Sequence, residues 1–397
     1  MKHSALSSTS RRGSLDLRRR LATAARSLSG AVVAACIAAI VAPSLASAEP
    51  QGLLETIKKQ QTVTSTVPEN GDQNPYALAI SPITSGKIQK NDVLIDNFND
   101  SANLQGVGTT IVDYNPSTDK LSLFAKVPHD LKECPGGVGL STAMTVLKSG
   151  WVVVGSTPSN DGTTDTKGAG CLLVFDTQGN LATVFSGENI NDPWGNMAVV
   201  DNGDTATLFI SMSGYGVGKV SGFIDPPVFK QATVLRLDLA IEQGKPPVIK
   251  NQTVVASGFS ERADRGVFLI GPTGLVIKDD LLYISDAIGN RISVIEDATK
   301  RDTSAGVGRT LTADGLLQRP LAMCLTPAGH LLVTNGLNGK VVEIDPATGR
   351  QIYARWIDAD KAQSPPGNGD LFGIVMTPEG DGFYYVEDDV NTLVLAR

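Results

Sequence analysis

The chain is short of the residues that carry familiar chemistry. It has three histidines in 397 residues, and only His129 and His330 lie beyond the first fifty. No H-E-x-x-H, C-x-x-C or G-x-S-x-G occurs, so the common zinc-hydrolase, dithiol and α/β-hydrolase signatures are missing, as is a haem attachment site. A Ser-His-Asp triad would have to use one of those two histidines, and neither falls beside a suitable serine. Aromatics are 5% of the chain. Beyond residue 48 there is no cluster of Lys and Arg, which makes nucleic acid and anionic lipid poor partners.

Long apolar runs are missing too, with one exception. GAVVAACIAAIVA follows a basic start and precedes SLASA. A basic segment, a short apolar run and the small-residue end Ala46-Ser47-Ala48 predict an export signal over residues 1–48. The run is too short for a comfortable membrane span, so no transmembrane segment is expected in the mature chain. SRRGSLD, from Ser10 to Asp16, is similar to the twin-arginine export motif, with Ser14 and Asp16 departing from it. General secretion is the other route, and Val33–Cys36, which loosely resembles a lipobox, is a third. The leader holds seven basic residues and one acid, so its removal leaves 27 basic and 40 acidic residues, a net charge of −13. The expected product is a periplasmic or secreted protein. Export permits disulfides, and of the remaining Cys134, Cys171 and Cys324 only one pair can form within the chain.

Turn formers, by contrast, are plentiful: 41 Gly and 21 Pro favour many short strands. They punctuate a repeat. LLYISDAIGNRISVIED from Leu281 and LLVTNGLNGKVVEID from Leu331 align without a gap, Leu282 on Leu331 and Glu296 on Asp345. ALAISP from Ala77, AMCLTP from Ala322 and GIVMTP from Gly373 are matched more loosely at Gly139, Gly195 and Gly274, which makes six copies. Each is followed by a second and a third apolar run, such as DVLID and TTIVDYN, and most by a fourth after an Asn/Asp/Gly/Pro turn. Four strands per unit at a period of roughly 40 to 65 residues describe propeller blades. The sixth unit ends after three strands, and QTVTSTV, Gln61 to Val67, is placed to supply its fourth and close the ring. The predicted organisation is a lead-in over 49–60 and one all-β, six-bladed propeller over 61–397.

GPTGLVI followed by LLYISDAIGNRISVIED resembles an NHL repeat. The likeness is good over Leu269–Asp297 and fair over 317–345, while the other four blades match in outline. It implies a propeller of a kind that mostly binds proteins, nucleic acids or small ligands. More distantly, the chain is similar to gluconolactonase- and regucalcin-type propellers, which hold one divalent metal at the channel mouth. That likeness implies a Ca²⁺-type, oxygen-donor set to which Asn74, Asn196 and Asp370 could contribute. The family's early Glu is replaced here by Asn74-Pro75-Tyr76.

The repeated small residues, Ala77, Gly139, Gly195, Gly274, Ala322 and Gly373, are expected where inner strands crowd the axis. Asp286, Asn335 and Asp388, with Asn290, Asn338 and Asn391 a few residues on, are expected to fold turns. Function should lie where copies differ. Entrances to first strands and loops after second strands share one end of the ring, and three segments there are long: Ser156–Gly170, Ser213–Lys230 and Gly258–Gly271. The entrance columns bring Asn74, Asp192, Arg319 and Asp370 beside Tyr76, Trp194 and Phe372. These are expected either to ring a ligand site or, for the aromatics, to wedge between blades. Asn196 breaks an otherwise apolar column, and either water and core partners or a ligand would satisfy it. Cys134 and Cys171 fall at one end of blade two and could pair; Cys324 is expected to be buried and inert. The leading expectation is a binding module for a small molecule or a protein. The alternatives are a metal-dependent lactonase and an assembly scaffold.

Overall fold

The computed structural model describes residues 52–219, 225–358, 362–369 and 371–397. The expected leader and Asp370 lie outside the described residues. Six small antiparallel sheets form the six blades of a β-propeller. Their inner strands are Gln73–Ile80, Leu140–Val146, Ala198–Asp201, Pro272–Lys278, Pro320–Leu325 and Leu371–Met376. The inner strands of blades one and two lie against one another, as do those of blades three to six in turn, and the sixth returns to the first. Among the described residues, helix is limited to Leu53–Thr56 and a 3₁₀ turn at Thr164–Thr166. No helix among the described residues is long and apolar enough to cross a membrane.

The N-terminal strand closes the ring as the pattern predicts. Gln60–Ser65 pairs antiparallel with Thr392–Ala396, Gln60 facing Ala396 and Ser65 facing Thr392, so the last blade gains its fourth strand from the other end of the chain. The segment ahead of it is anchored as well. Buried Glu343 accepts the backbone N–H groups of Leu53 and Leu54, both at 2.9 Å, and the side chains of Leu54 and Ile57 are buried.

Four of the six inner strands break register at the same place. The irregularity falls between Pro75 and Leu78, Pro272 and Leu275, Pro320 and Met323, and Leu371 and Ile374. The small residue in this bulge is needed for a steric reason, which Gly195, just ahead of the blade-three strand, shares. A Cβ on Gly195 would stand 1.6 Å from the carbonyl oxygen of Thr273, one on Gly274 2.4 Å from that of Leu321, and one on Gly373 2.6 Å from that of Tyr76. In each case the obstacle is backbone of the next blade. Side chains of the second strands fill the amides that the bulge frees: Gly274 N–H donates to Ser285 Oγ (2.6 Å), and Ala77 N–H donates to Asp96 Oδ1 (2.8 Å).

Blade two corrects one reading. Its bulge runs from Leu140 to Met144 and holds one residue more than the others. Ala143 and Met144 therefore occupy the column positions that spacing assigns to Gly139 and Leu140. Gly139 instead packs on the backbone of Gly106 in blade one.

Candidate functional site at the channel mouth

The entrance end of the ring holds a cavity of about 440 Å³, in the range of small-ligand sites. Its walls are polar. Gln73, Asn74, Asn99, Asn103 and Gln105 come from blade one; Asn368, Asp388, Asp389 and Asn391 come from blade six. Arg319 enters from blade five, and Asp264 from the approach to blade four.

Asp264 arrives there because the outer strand of blade three does not stop at the blade. It runs for 17 residues, Val248–Asp264, then turns back through Phe268–Ile270, with Arg262 facing Ile270 and Asp264 facing Phe268. This hairpin reaches over the mouth. Asp264 Oδ1 accepts the N–H groups of Gly266 and Val267 and so fixes the turn, while Gly266 O accepts from Gln105 Nε2 at 3.1 Å. Burial holds the Arg319 guanidinium below its ordinary value, with Asp264 opposing that shift and Arg262 adding to it.

Beneath the cavity the channel is sealed by aromatic rings. Tyr76 stacks on Phe372 (centroids 4.0 Å) and on Phe98 (4.6 Å). Trp194 meets Tyr76 edge-on at 5.8 Å, and the hairpin inserts Phe268 against Phe98 at 5.5 Å. All five rings are buried. Tyr76, Trp194 and Phe372 thus form the layer under the cavity and do not line it. Burial, with the carboxylates of Asp388 and Asp264 near, holds the Tyr76 hydroxyl well above the ordinary phenol range.

Asn196 lies below that layer, at a second, more apolar cavity of about 330 Å³ lined by inner strands. Its amide is fully used: Nδ2 donates to Leu275 O (2.8 Å) and Met323 O (3.1 Å), and Oδ1 accepts Met323 N–H (3.0 Å). It therefore ties blades three, four and five together. Cys324 lines the same lower cavity and is half-buried, not enclosed; its thiol is raised to about 12 by burial.

Asn74 and Asn196, two of the residues expected to share a metal, are consequently not brought together. Asn74 is at the mouth, Asn196 is on the other side of the aromatic layer, and Asp370 lies outside the described residues. Among the described residues no three His, Cys, Asp or Glu side chains converge on a cation position. Asp192 is not at the cavity either. It is fully buried under the Ser156–Gly170 loop, 2.7 Å from Lys167 Nζ. The base of that loop is pinned by a disulfide between Cys134 and Cys171.

Of the cavity residues, Asn74 and Arg319 stand out in the sequence as entrance residues, and Asp388 and Asn391 as turn residues. Gln105 and Asn368 sit on loops and Asp264 at the end of an extended strand, while Asp389 lies in the recurrent turn beside its repeated Asp/Asn positions, so the repeat gives no column in which to notice them. The length of Gly258–Gly271 is the one signal that points to Asp264.

No family profile and no curated protein sequence matches the chain. Solved structures do match in shape. A gluconolactonase from Xanthomonas campestris superposes with a TM-score of 0.53 at 13% identity, covering 85% of this chain and 88% of that one. A candidate glucose-dehydrogenase-type oxidoreductase from Thermus thermophilus gives 0.51 at 15% identity over 85% and 99%. Likeness at this identity establishes the six-bladed propeller fold and nothing of the chemistry.

Proposed function

We propose that the chain is an exported binding protein that takes a small, polyhydroxylated molecule at the channel mouth. What carries this reading is the wall of the cavity: side-chain amides offering paired donors and acceptors, three carboxylates that accept, and one guanidinium. A sugar hydroxyl both donates and accepts, and such a wall can satisfy it from several sides. Arg319 adds a bidentate partner for a ligand carboxylate. The test is calorimetric titration of the purified chain with aldoses, aldonic acids and sugar lactones, with Arg319→Ala in parallel. Binding of a sugar acid that weakens tenfold or more in Arg319→Ala supports the proposal. Absence of heat across the whole panel overturns it.

A second reading is hydrolysis of a sugar lactone at the same mouth. In its favour, Asn74 Oδ1 is buried without a hydrogen-bond partner in a cavity shared with Asp264 and Asp388. The donor set expected from the sequence is divided by the aromatic layer, and no metal-dependent step is derived from it. Turnover of a lactone with and without added Ca²⁺ decides: none under either condition removes this reading and leaves the binding one standing.

A further inference from the structure

Arg319 occupies an entrance position whose backbone is left-handed. Asn74 (φ +62°) and Asp192 (φ +48°) hold the matching positions of blades one and three, and both residue types tolerate that conformation. Arginine does not share that tolerance, yet Arg319 sits there with φ +58°. Its stem crosses Gly336, where an added Cβ would stand 3.2 Å from Arg319 Cδ. Of its donors only the backbone N–H is bonded, to Asn290; among the described residues the guanidinium makes no hydrogen bond or ion pair.

This side chain lines two cavities: the mouth, and a second of about 290 Å³. The second lies between the hairpin, blade four and blade five. Its apolar walls are Ile270, Ala287, Ile288 and Leu337, of which Ile270 and Ala287 are buried. Arg262, on the hairpin strand, lines it as well, and among the described residues no carboxylate does. The acid available to the two arginines is Asp264, on the wall of the mouth. Its Oδ1 already accepts the N–H groups of Gly266 and Val267, and its Oδ2 lies 3.4 Å from Arg262 Nη2, the long end of the hydrogen-bond range. One occupied carboxylate thus serves two guanidiniums, and the side pocket is left with positive charge and apolar surface.

We propose that this side pocket is a binding site for an organic carboxylate with a compact apolar body, such as an aryl or branched alkyl acid. The carboxylate is held by Arg262 and Arg319, and the apolar body lies against Ile270, Ile288 and Leu337. Guanidiniums suit this role because their planar fork matches a carboxylate in two parallel bonds. The apolar walls set the preference: acetate and inorganic phosphate bring the charge but leave those walls uncovered. The site is distinct from the sugar site at the mouth and stands whether or not a sugar occupies it. Arg319 is the residue the two share.

Calorimetric titration of the purified chain, without sugar, tests this with phenylacetate and isovalerate against acetate, inorganic phosphate and the neutral phenylacetamide. Phenylacetate or isovalerate is expected to bind at least about tenfold more tightly than any of the three controls. Arg262→Gln and Arg319→Gln are each expected to weaken that binding by about tenfold or more, with circular dichroism confirming that both fold. Failure of both acids to bind the wild-type chain overturns the proposal whatever the variants do. Equal binding of acetate or phosphate removes the role of the apolar walls, and equal binding of phenylacetamide removes that of the arginines; either overturns it. Undiminished binding in folded Arg262→Gln also overturns it, since the acid would then be held at the mouth by Arg319 alone.

Discussion

The side-chain oxygen of Asn391 accepts the backbone N–H of Asn74 at 2.6 Å, across the seam where the sixth blade meets the first. Both residues have left-handed backbone, with φ of +57° and +62°. The same pairing recurs between blades four and five, where Asn290 (φ +47°) accepts the N–H of Arg319 (φ +58°) at 3.0 Å. Asparagine tolerates this conformation better than most residues, and its oxygen then reaches the next blade. The turn reading of these asparagines is therefore incomplete: the turn residue of one blade sets the entrance of the next, and with it a wall of the mouth cavity.

Asn391→Gly keeps the left-handed turn and removes the acceptor, leaving the Asn74 N–H without its partner. A loss of about 1–3 kcal/mol is expected in denaturant unfolding. Asn391→Ala should lose up to about 1–2 kcal/mol more, from the strain of a Cβ in that conformation. If the Gly variant unfolds at the wild-type midpoint, the seam bond contributes nothing to stability.

Asp96 predicts a pH dependence. It is fully buried, and desolvation lifts its carboxyl from 3.8 to about 8, opposed by the N–H groups of Ala77 and Tyr76. Between those values the folded chain holds the proton and the unfolded chain does not. Stability should therefore fall as pH rises from about 4 to about 8, by at most ~1.4 kcal/mol per pH unit from this group. Asp96→Asn keeps an acceptor for Ala77 and cannot ionise, so its stability relative to wild type should grow from pH 5 to pH 8. Parallel urea titrations at the two pH values check this; a constant difference refutes it.

Cys134 and Cys171 close a loop of sequence separation 37. A crosslink of that span restricts the unfolded chain by about 3–4 kcal/mol. Reduction with dithiothreitol, or Cys134→Ser with Cys171→Ser, should lower the melting temperature by several degrees. Alkylation before and after reduction should differ by two labelled thiols. No difference in labelling would show that the bond does not form.

Much of the architecture was readable because propeller blades are built from local rules. Strands of period two, turn residues between them and a small residue in each inner strand are written into consecutive residues. The N-terminal strand was readable from arithmetic: the sixth unit lacked one strand and the chain had one to spare. Asn196 was visible as an anomaly, but one residue in an apolar column carries no record of which carbonyl groups surround it.

By itself the sequence determined the number of blades and the closure of the ring; it left open whether Cys134 and Cys171 pair, which the structure shows they do. Blade number and closure depend on spacing along the chain, which folding preserves. Only the tertiary structure decided where the inner-strand side chains point. The bulge in five of the six inner strands shifts the strand's alternation, and in blade two it shifts by one residue more, so column alignment could not say that Tyr76, Trp194 and Phe372 turn inward and seal the channel. Nor could spacing bring Asp264 to the mouth or Lys167 to Asp192. Those meetings join residues tens to hundreds of positions apart, and they exist only because packed blades hold the loops that carry them.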